Sequence, residues 1–263
     1  KGNELYTSIP TLNRITGGFQ PGNLITIAAR PGVGKSAFVL QLSRDIARKE
    51  KKVLFISLEM TETELMSRII SNETGIATVD LLSADLDKND WEKISNVMAV
   101  NQKEKSLLIN TRHRTIKQVR RAIITESPSV VVIDYLNLMK SEGESERIKI
   151  NNLTRELKQL AIEFKLVIIQ LAQLNRDTEN RFPTLADLKE SSSIESDSNI
   201  VMTLFEIKDE KSLKDNVPVS LCDEVHYKSY ISKGHKLLIL SVQKNRNGQL
   251  KNIPLVFQPR EYK

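Results

Sequence analysis

Cysteine is almost missing from this sequence. Cys222 stands alone among 263 residues, which excludes an internal disulfide and fits a reducing compartment. Histidine is nearly as scarce, and His113, His226 and His235 share no metal-ligand spacing with one another or with Cys222, so all four read as surface or packing residues. No apolar stretch approaches the ~20 residues that a membrane span needs. The opening residues, Lys1-Gly2-Asn3-Glu4, carry no apolar signal core. A cytoplasmic protein with no membrane partner is expected. Aromatic residues make up 5% of the chain, and Trp91 and the scattered methionines read as core or interface residues rather than a cofactor box.

What remains is a globular composition, 40% hydrophobic and 27% charged, long enough for one large domain with a substantial core. Lys and Arg number 39 against 33 Asp and Glu, and the resulting charge of +6 tolerates a polyanionic partner without demanding one.

The chain is organised around residues 24–36. An apolar, β-branched run from Leu24 ends in Ala29-Arg30-Pro31-Gly32-Val33-Gly34-Lys35-Ser36, and a helical pattern begins at once with Ala37. Strand, glycine loop and helix in this order make a phosphate cradle. Backbone N–H groups wrap a triphosphate, Lys35 reaches its β- and γ-phosphates, and the Ser36 hydroxyl takes a place on Mg²⁺. The usual pattern G-x-x-x-x-G-K-[ST] would have glycine where Ala29 stands. ATP and Mg²⁺ are therefore the expected cofactors.

Residues 1–23 form a lead-in with a short amphipathic piece, Ile9 to Ile15, and a glycine and proline cluster; 24–263 read as the main domain. Buried strands are expected at Val53–Ile56, Leu107–Ile109, Val130–Ile133 and Leu166–Ile169, separated by helices. Two of those helices open on capping boxes, Thr61 with Glu64 and Thr115 with Gln118. An all-helical excursion fills 75–106. This alternation predicts an α/β fold with a mostly parallel central sheet flanked by helices. Beyond Arg176 the pattern changes: 177–199 look irregular, strands recur at Ile200–Phe205, Lys236–Val242 and Ile253–Val256, and 206–235 read as a surface loop. Antiparallel strands are expected at the C-terminal end.

Ligands of open α/β sheets lie outside the carboxyl ends of the strands, so polar residues at strand exits should converge. Asp134 ends an apolar run and can hold Mg²⁺ opposite Ser36. Glu59 leaves the neighbouring strand and can orient or deprotonate an attacking water. Gln173, after the strand at 166–169, can sense a γ-phosphate through its amide. Lys244 and Arg246, at i and i+2 of a late strand, address one anion together. The sequence suggests no comparable basic residue near the phosphate crevice, so donation of this pair to a neighbouring subunit is the attractive reading. A solvated charge pair on an edge strand is the plainer one.

Taken in order, Ala28–Ser36, Ser57-Leu58-Glu59-Met60, Asp134-Tyr135-Leu136-Asn137-Leu138, Gln173-Leu174-Asn175-Arg176 and Lys244-Asn245-Arg246-Asn247-Gly248 resemble the motif series of the DnaB family of replicative helicases. The resemblance spans about Ser8 to Phe257. It implies a RecA-like P-loop NTPase core that assembles as a homo-hexamer, hydrolyses ATP between subunits and moves 5′-to-3′ on single-stranded DNA. By matching motif, it makes Glu59 the catalytic glutamate, Lys35 and Ser36 the phosphate and Mg²⁺ ligands, and Asp134 the magnesium-side aspartate. Gln173 becomes the γ-phosphate sensor, and Lys244 and Arg246 the pair reaching into the next subunit's site. Asp187-Leu188-Lys189-Glu190-Ser191-Ser192 resembles the DNA-contacting loop, with Arg176 close by in sequence. Lys189 stands where that family usually has arginine and Ser192 where it has glycine, and the stretch from Arg176 to Pro183 is short for the family. The family's N-terminal domain, which engages primase, has no counterpart here, so a motor domain alone is expected, with primase and a loader as partners of the full-length protein. Two other readings stay open: a different RecA-like ring ATPase such as a recombinase or clock-type kinase, and a non-hydrolysing ATP-binding loader or adaptor.

Overall fold

The computed structural model describes residues 4–103, 106–175, 182–188, 192–217 and 223–259. The chain begins with α1 (Pro10–Thr16), β1 (Leu24–Ala29), α2 (Lys35–Ala47), β2 (Val53–Ser57), α3 (Glu62–Thr74), α4 (Thr78–Ser83), α5 (Lys88–Lys103) and β3 (Leu107–Asn110). It continues through α6 (Ile116–Glu126), β4 (Val130–Asp134), α7 (Glu146–Glu163), β5 (Val167–Gln173) and α8 (Ser192–Asp197). The last elements are β6 (Ile200–Ile207), α9 (Glu210–Asn216), α10 (Glu224–Ser232), β7 (Lys236–Asn245) and β8 (Lys251–Phe257).

The strands form one eight-stranded sheet in the order β3-β2-β4-β5-β1-β6-β7-β8. Neighbours from β3 to β6 are parallel, whereas β6–β7 and β7–β8 are antiparallel. The division follows from the sequence. β1, β2 and β4 are buried at every position, the mark of strands covered on both faces. β8 is half exposed and closes the sheet as an edge.

Alternate residues of each strand face opposite layers. Ile25, Ile27, Phe55 and Val132 pack with Leu12 of α1, Val39, Leu42 and Ile46 of α2, and Leu65 and Ile69 of α3. Leu24, Leu54, Ile133 and Ile168 pack on the other side with Val119 and Ile123 of α6 and Leu153, Leu157 and Leu160 of α7. Each large aliphatic side chain so buried contributes about 1.5–3 kcal/mol relative to exposure. The helices start and stop on local signals: Thr61 and Thr115 complete capping boxes with Glu64 and Gln118, and Gly75 closes α3 in the left-handed region at φ 74°.

The structure departs from the sequence reading in several places. Residues 206–235 are not a plain loop: α9 and α10 occupy much of the segment, capped by Asp209 and Asp223. They bury Leu213 and Tyr227 in a small cluster against Phe205, Ile207 and Ile239. The stretch 177–199 contains α8 and a 3-10 turn at Leu185–Asp187. β5 runs on to Gln173, whose residue is thus part of the strand rather than beyond it. Trp91 on α5 is half exposed, so it is no core residue.

Candidate active site

The parallel strands align their ends, and this alignment builds the site. Ala29 stands level with Gln173 across β1 and β5, and Ser57 level with Asp134 across β2 and β4. The Leu58 amide donates to the Asp134 carbonyl at 2.6 Å, and the Ser57 hydroxyl closes a turn with Met60, so Glu59 leaves β2 toward the same edge. Beyond Ala29, Gly32 at φ 79° and Gly34 at φ 107° take left-handed conformations that other residues resist. Gly34 is also the N-cap of α2 and offers no side-chain cap, so the first N–H groups of this 13-residue helix stay available to an anion. A cavity of about 340 Å³ opens here. Arg30, Pro31, Gly32, Gly34, Lys35, Ser36 and Ala37 line it, together with Glu59 and Gln173.

Lys35 is buried. Its Nζ donates to the Ala172 carbonyl at 3.2 Å and lies 5.2 Å from the centre of the Tyr135 ring. Burial holds its pKa below the ordinary lysine value, while Asp134 and Glu59 pull it back up. The opposite shift marks Asp134. Burial raises its pKa, and the Ser36 hydroxyl and the Lys35 charge work against that rise. The Ser36 contact falls short of good hydrogen-bond geometry, and both Asp134 carboxylate oxygens are buried without a hydrogen-bond partner. Leaving such atoms unpaired is costly. Two orphaned carboxylate oxygens facing a hydroxyl are a donor set suited to a hard cation, so these residues fit Mg²⁺. No group of three or more His, Cys, Asp or Glu that could hold a metal occurs among the described residues, so the remaining ligands of a cation here would be phosphate oxygens and water. Burial together with Glu59 and Asp134 also raises the pKa of Tyr135, which a hydrogen bond with Gln173 opposes.

The cavity has residues that motif reading missed. Arg68 projects from α3, and its charge registers on Asp134. Lys236, Phe257 and Pro259 line the cavity from the β6–β8 side of β1. Lys236 pairs with Glu206 at 3.1 Å, and the Phe257 ring lies against Gly34. The expectation that no basic residue besides the late pair approaches the crevice is therefore corrected by Arg68 and Lys236. A helical spacing from the Thr61 cap, with Leu65 and Ile69 buried, could have shown that Arg68 follows Glu59 on a docked helix. Nothing local marks Lys236 or Phe257.

Lys244 and Arg246 lie at the other end of the sheet. Lys244 pairs with Val201 near the start of β6, and the Arg246 amide donates to the Asn199 carbonyl at 3.0 Å. β7 ends at Asn245 and Arg246 enters the turn, so the pair does not share one extended strand. Both side chains nevertheless meet the same group: Lys244 donates to the Glu195 and Ser196 carbonyls, and Arg246 to the Ser196 carbonyl, at the C-terminal end of α8. Lys158 stands near, bonded to the Gly22 carbonyl and Asn199 Oδ1 at 2.7 Å each. Arg176, Lys189, Glu190 and Ser191 lie outside the described residues, and Ser192 is the first residue of α8.

Comparison with known proteins matches residues 4–263 to a family model, the DnaB-like helicase C-terminal domain. A probable replicative DNA helicase of Trieres chinensis is 35% identical over 260 residues, which are 94% of this chain and 53% of that protein. A DnaB-like replicative helicase, solved with its interactions with primase, superposes with a TM-score of 0.82 at 26% identity, covering 98% of this chain and 60% of its own. A solved isolated ATPase domain gives the same TM-score at 25% identity, covering 98% of this chain and 89% of the other. The chain thus spans about half the length of the curated relatives it matches.

Proposed function

Since the chain belongs to the DnaB-like helicase C-terminal domain family, we propose that it is the ATP-driven motor domain of a replicative DNA helicase. It works in a hexameric ring, translocates 5′-to-3′ on single-stranded DNA and unwinds duplex at the fork. The observation that carries the shared-site reading is the separation of the phosphate loop from the Lys244–Arg246 pair. The loop follows the C-terminal end of β1, whereas Arg246 is bonded to the residue that precedes β6. β7, of 10 residues, spans about 30 Å at ~3.4 Å per residue. A pair at its far end cannot serve the chain's own phosphates, and a neighbouring subunit's cavity is the natural target.

In this reading the α2 amides, Gly32 and Gly34 cradle the phosphates, and Lys35 exchanges its bond with the Ala172 carbonyl for β- and γ-phosphate oxygens. Asp134 and Ser36 would hold Mg²⁺, which would offset the negative charge of the phosphates. Glu59 accepts a proton from the attacking water, and Gln173 holds the γ-phosphate end. Lys244 and Arg246 stabilise the transition-state charge from the next subunit, a contribution of ~10³ to 10⁵ in rate when an arginine acts in this way. Phe257, Pro259 and Lys236 receive the base and sugar end. The segment 187–192 and Arg176 are the proposed contacts to single-stranded DNA. Contact with a nucleic-acid backbone needs a few cations per subunit rather than base-reading groups, so affinity should fall as salt rises. Primase and a loader are proposed partners of the full-length protein, and the cytoplasm its location. No described helix is long and apolar enough to cross a membrane.

ATP turnover per subunit, measured across protein concentration with and without single-stranded DNA, tests the proposal. Turnover that climbs with concentration and again with DNA supports it. Flat turnover in both, with ATP binding intact, would overturn the motor reading for this chain as it stands, leaving the ATP-binding adaptor or a domain that needs the rest of its protein.

A further inference from the structure

The block Lys244-Asn245-Arg246-Asn247-Gly248 contains three residues that the phosphate chemistry does not use, Asn245, Asn247 and Gly248. Asn245 Nδ2 donates to the Ile15 carbonyl of α1 at 3.0 Å and to the Gln249 carbonyl at 3.3 Å. Its Oδ1 accepts from the Asn247 amide at 3.3 Å, which folds the turn. The Gln249 amide reaches the same Ile15 carbonyl at 3.3 Å. One oxygen of α1 thus receives donors from both limbs of the β7–β8 turn.

Gly248 makes this approach possible. A methyl group at Gly248 would collide with the Ile15 carbonyl oxygen and the Asn245 amide nitrogen. Its φ lies outside the left-handed region, so the demand for glycine is steric and not conformational. Ile15 itself cannot drift: it is buried beside Leu12 and Phe19 in the core layer that also holds α2. On the opposite side, the carbonyls at the end of α8 hold the Lys244 and Arg246 side chains. The turn is therefore fixed between α1 and α8.

We propose that Asn245 and Gly248 are positioning residues that latch the turn onto the Ile15 carbonyl and so set where Lys244 and Arg246 stand relative to the neighbouring subunit's ATP. The inference rests on the reading that this pair acts across the subunit interface. Displacing a catalytic group by about 1 Å can cost ~10² in rate, so loosening the latch lowers turnover without touching the phosphate cradle.

The test measures kcat and KM for ATP, with single-stranded DNA present, for Gly248→Ala, Asn245→Asp and Arg246→Ala, with Asn247→Ala as the exposed control in the same turn. Each variant is also mixed in equal amounts with Lys35→Ala subunits, which lack a working phosphate cradle but keep an intact turn. Gly248→Ala and Asn245→Asp should each lower kcat by about tenfold to a hundredfold with KM nearly unchanged. Asn247→Ala should match the parent. Mixing with Lys35→Ala should restore turnover to both latch variants, as it does to Arg246→Ala, because the intact turn then serves the intact cradle next door. Asn245→Asp keeps the side-chain volume and carries the test if Gly248→Ala fails to fold. Parental kcat in both latch variants, with Arg246→Ala inactive, overturns the positioning role alone. A loss that Lys35→Ala subunits do not restore, while they do restore Arg246→Ala, marks a merely structural defect and also overturns it. Failure to restore Arg246→Ala itself removes the cross-interface reading, and the inference falls with it.

Discussion

Lys35 Nζ donates to the Ala172 carbonyl at 3.2 Å, which ties the phosphate loop's cation to the strand that ends in Gln173. A single neutral carbonyl is a poor substitute for water around a buried ammonium, and burial lowers the lysine pKa accordingly. The folded chain thus holds this proton less tightly than the unfolded chain does. The resulting cost is present below the lowered pKa and is relieved as pH rises through it toward the ordinary lysine value. Denaturation midpoints of the nucleotide-free protein should therefore gain with pH over that alkaline window relative to Lys35→Met. Parallel pH curves for the two proteins would contradict this.

Asp134 carries the mirror-image cost. Its raised pKa means that the folded chain binds the proton more tightly than the unfolded one, so the penalty is full above the raised value and relieved as pH falls through it toward the usual carboxylate range. Asp134→Asn should stabilise the nucleotide-free protein by about 1–3 kcal/mol at neutral pH. The gain should shrink on acidification, and Mg²⁺-dependent ATP hydrolysis should disappear. Urea titrations at neutral and acidic pH decide the point, and a variant less stable than the parent at neutral pH counts against the orphaned-carboxylate account.

Arg68 stands in the same cavity as Glu59, and its charge registers on Asp134. A cation at this place would stabilise negative charge on a bound phosphate end from within the same chain. Arg68→Ala should lower kcat by about 10²-fold, the usual cost of losing one well-placed stabilising group. A melting curve run alongside separates a catalytic loss from a loss of fold. Unchanged kcat would reduce Arg68 to a wall of the cavity.

The position of Arg68 depends on how α3 docks on α2. Glu73 forms ion pairs with Arg44 and with Arg48, and Arg44 is buried. Glu73→Gln leaves the buried Arg44 guanidinium without its counter-charge and should cost about 3 kcal/mol. Chemical denaturation measures the loss; a cost under about 1 kcal/mol would show that the ion pair is dispensable.

The parts of this fold that were legible in the sequence are those set by neighbours in the chain. The β-branched run into Gly32 and Gly34, the Thr61–Glu64 and Thr115–Gln118 boxes and the apolar run before Asp134 each act within a few residues, and each is where the pattern puts it. The helices α9 and α10 escaped because their apolar residues are few among many charges; they are held by Leu213 and Tyr227 against strands that only the folded sheet brings together. Asp209 and Asp223, each capping an amide three residues on, were the available signals. Lys236 and Phe257 were out of reach for a different reason. They line the cavity only because β6, β7 and β8 add to the sheet beside β1, an order that no local pattern encodes.

That order gives β7 two chemical ends. Lys236 opens the strand at the chain's own phosphate-loop cavity, and Lys244 stands one residue before its end, beside the turn that carries Arg246. It is hydrogen-bonded on both edges, by β6 and by β8. In the proposed ring each β7 would begin at one nucleotide and finish beside the next. One continuous strand would then join two nucleotide sites about 30 Å apart.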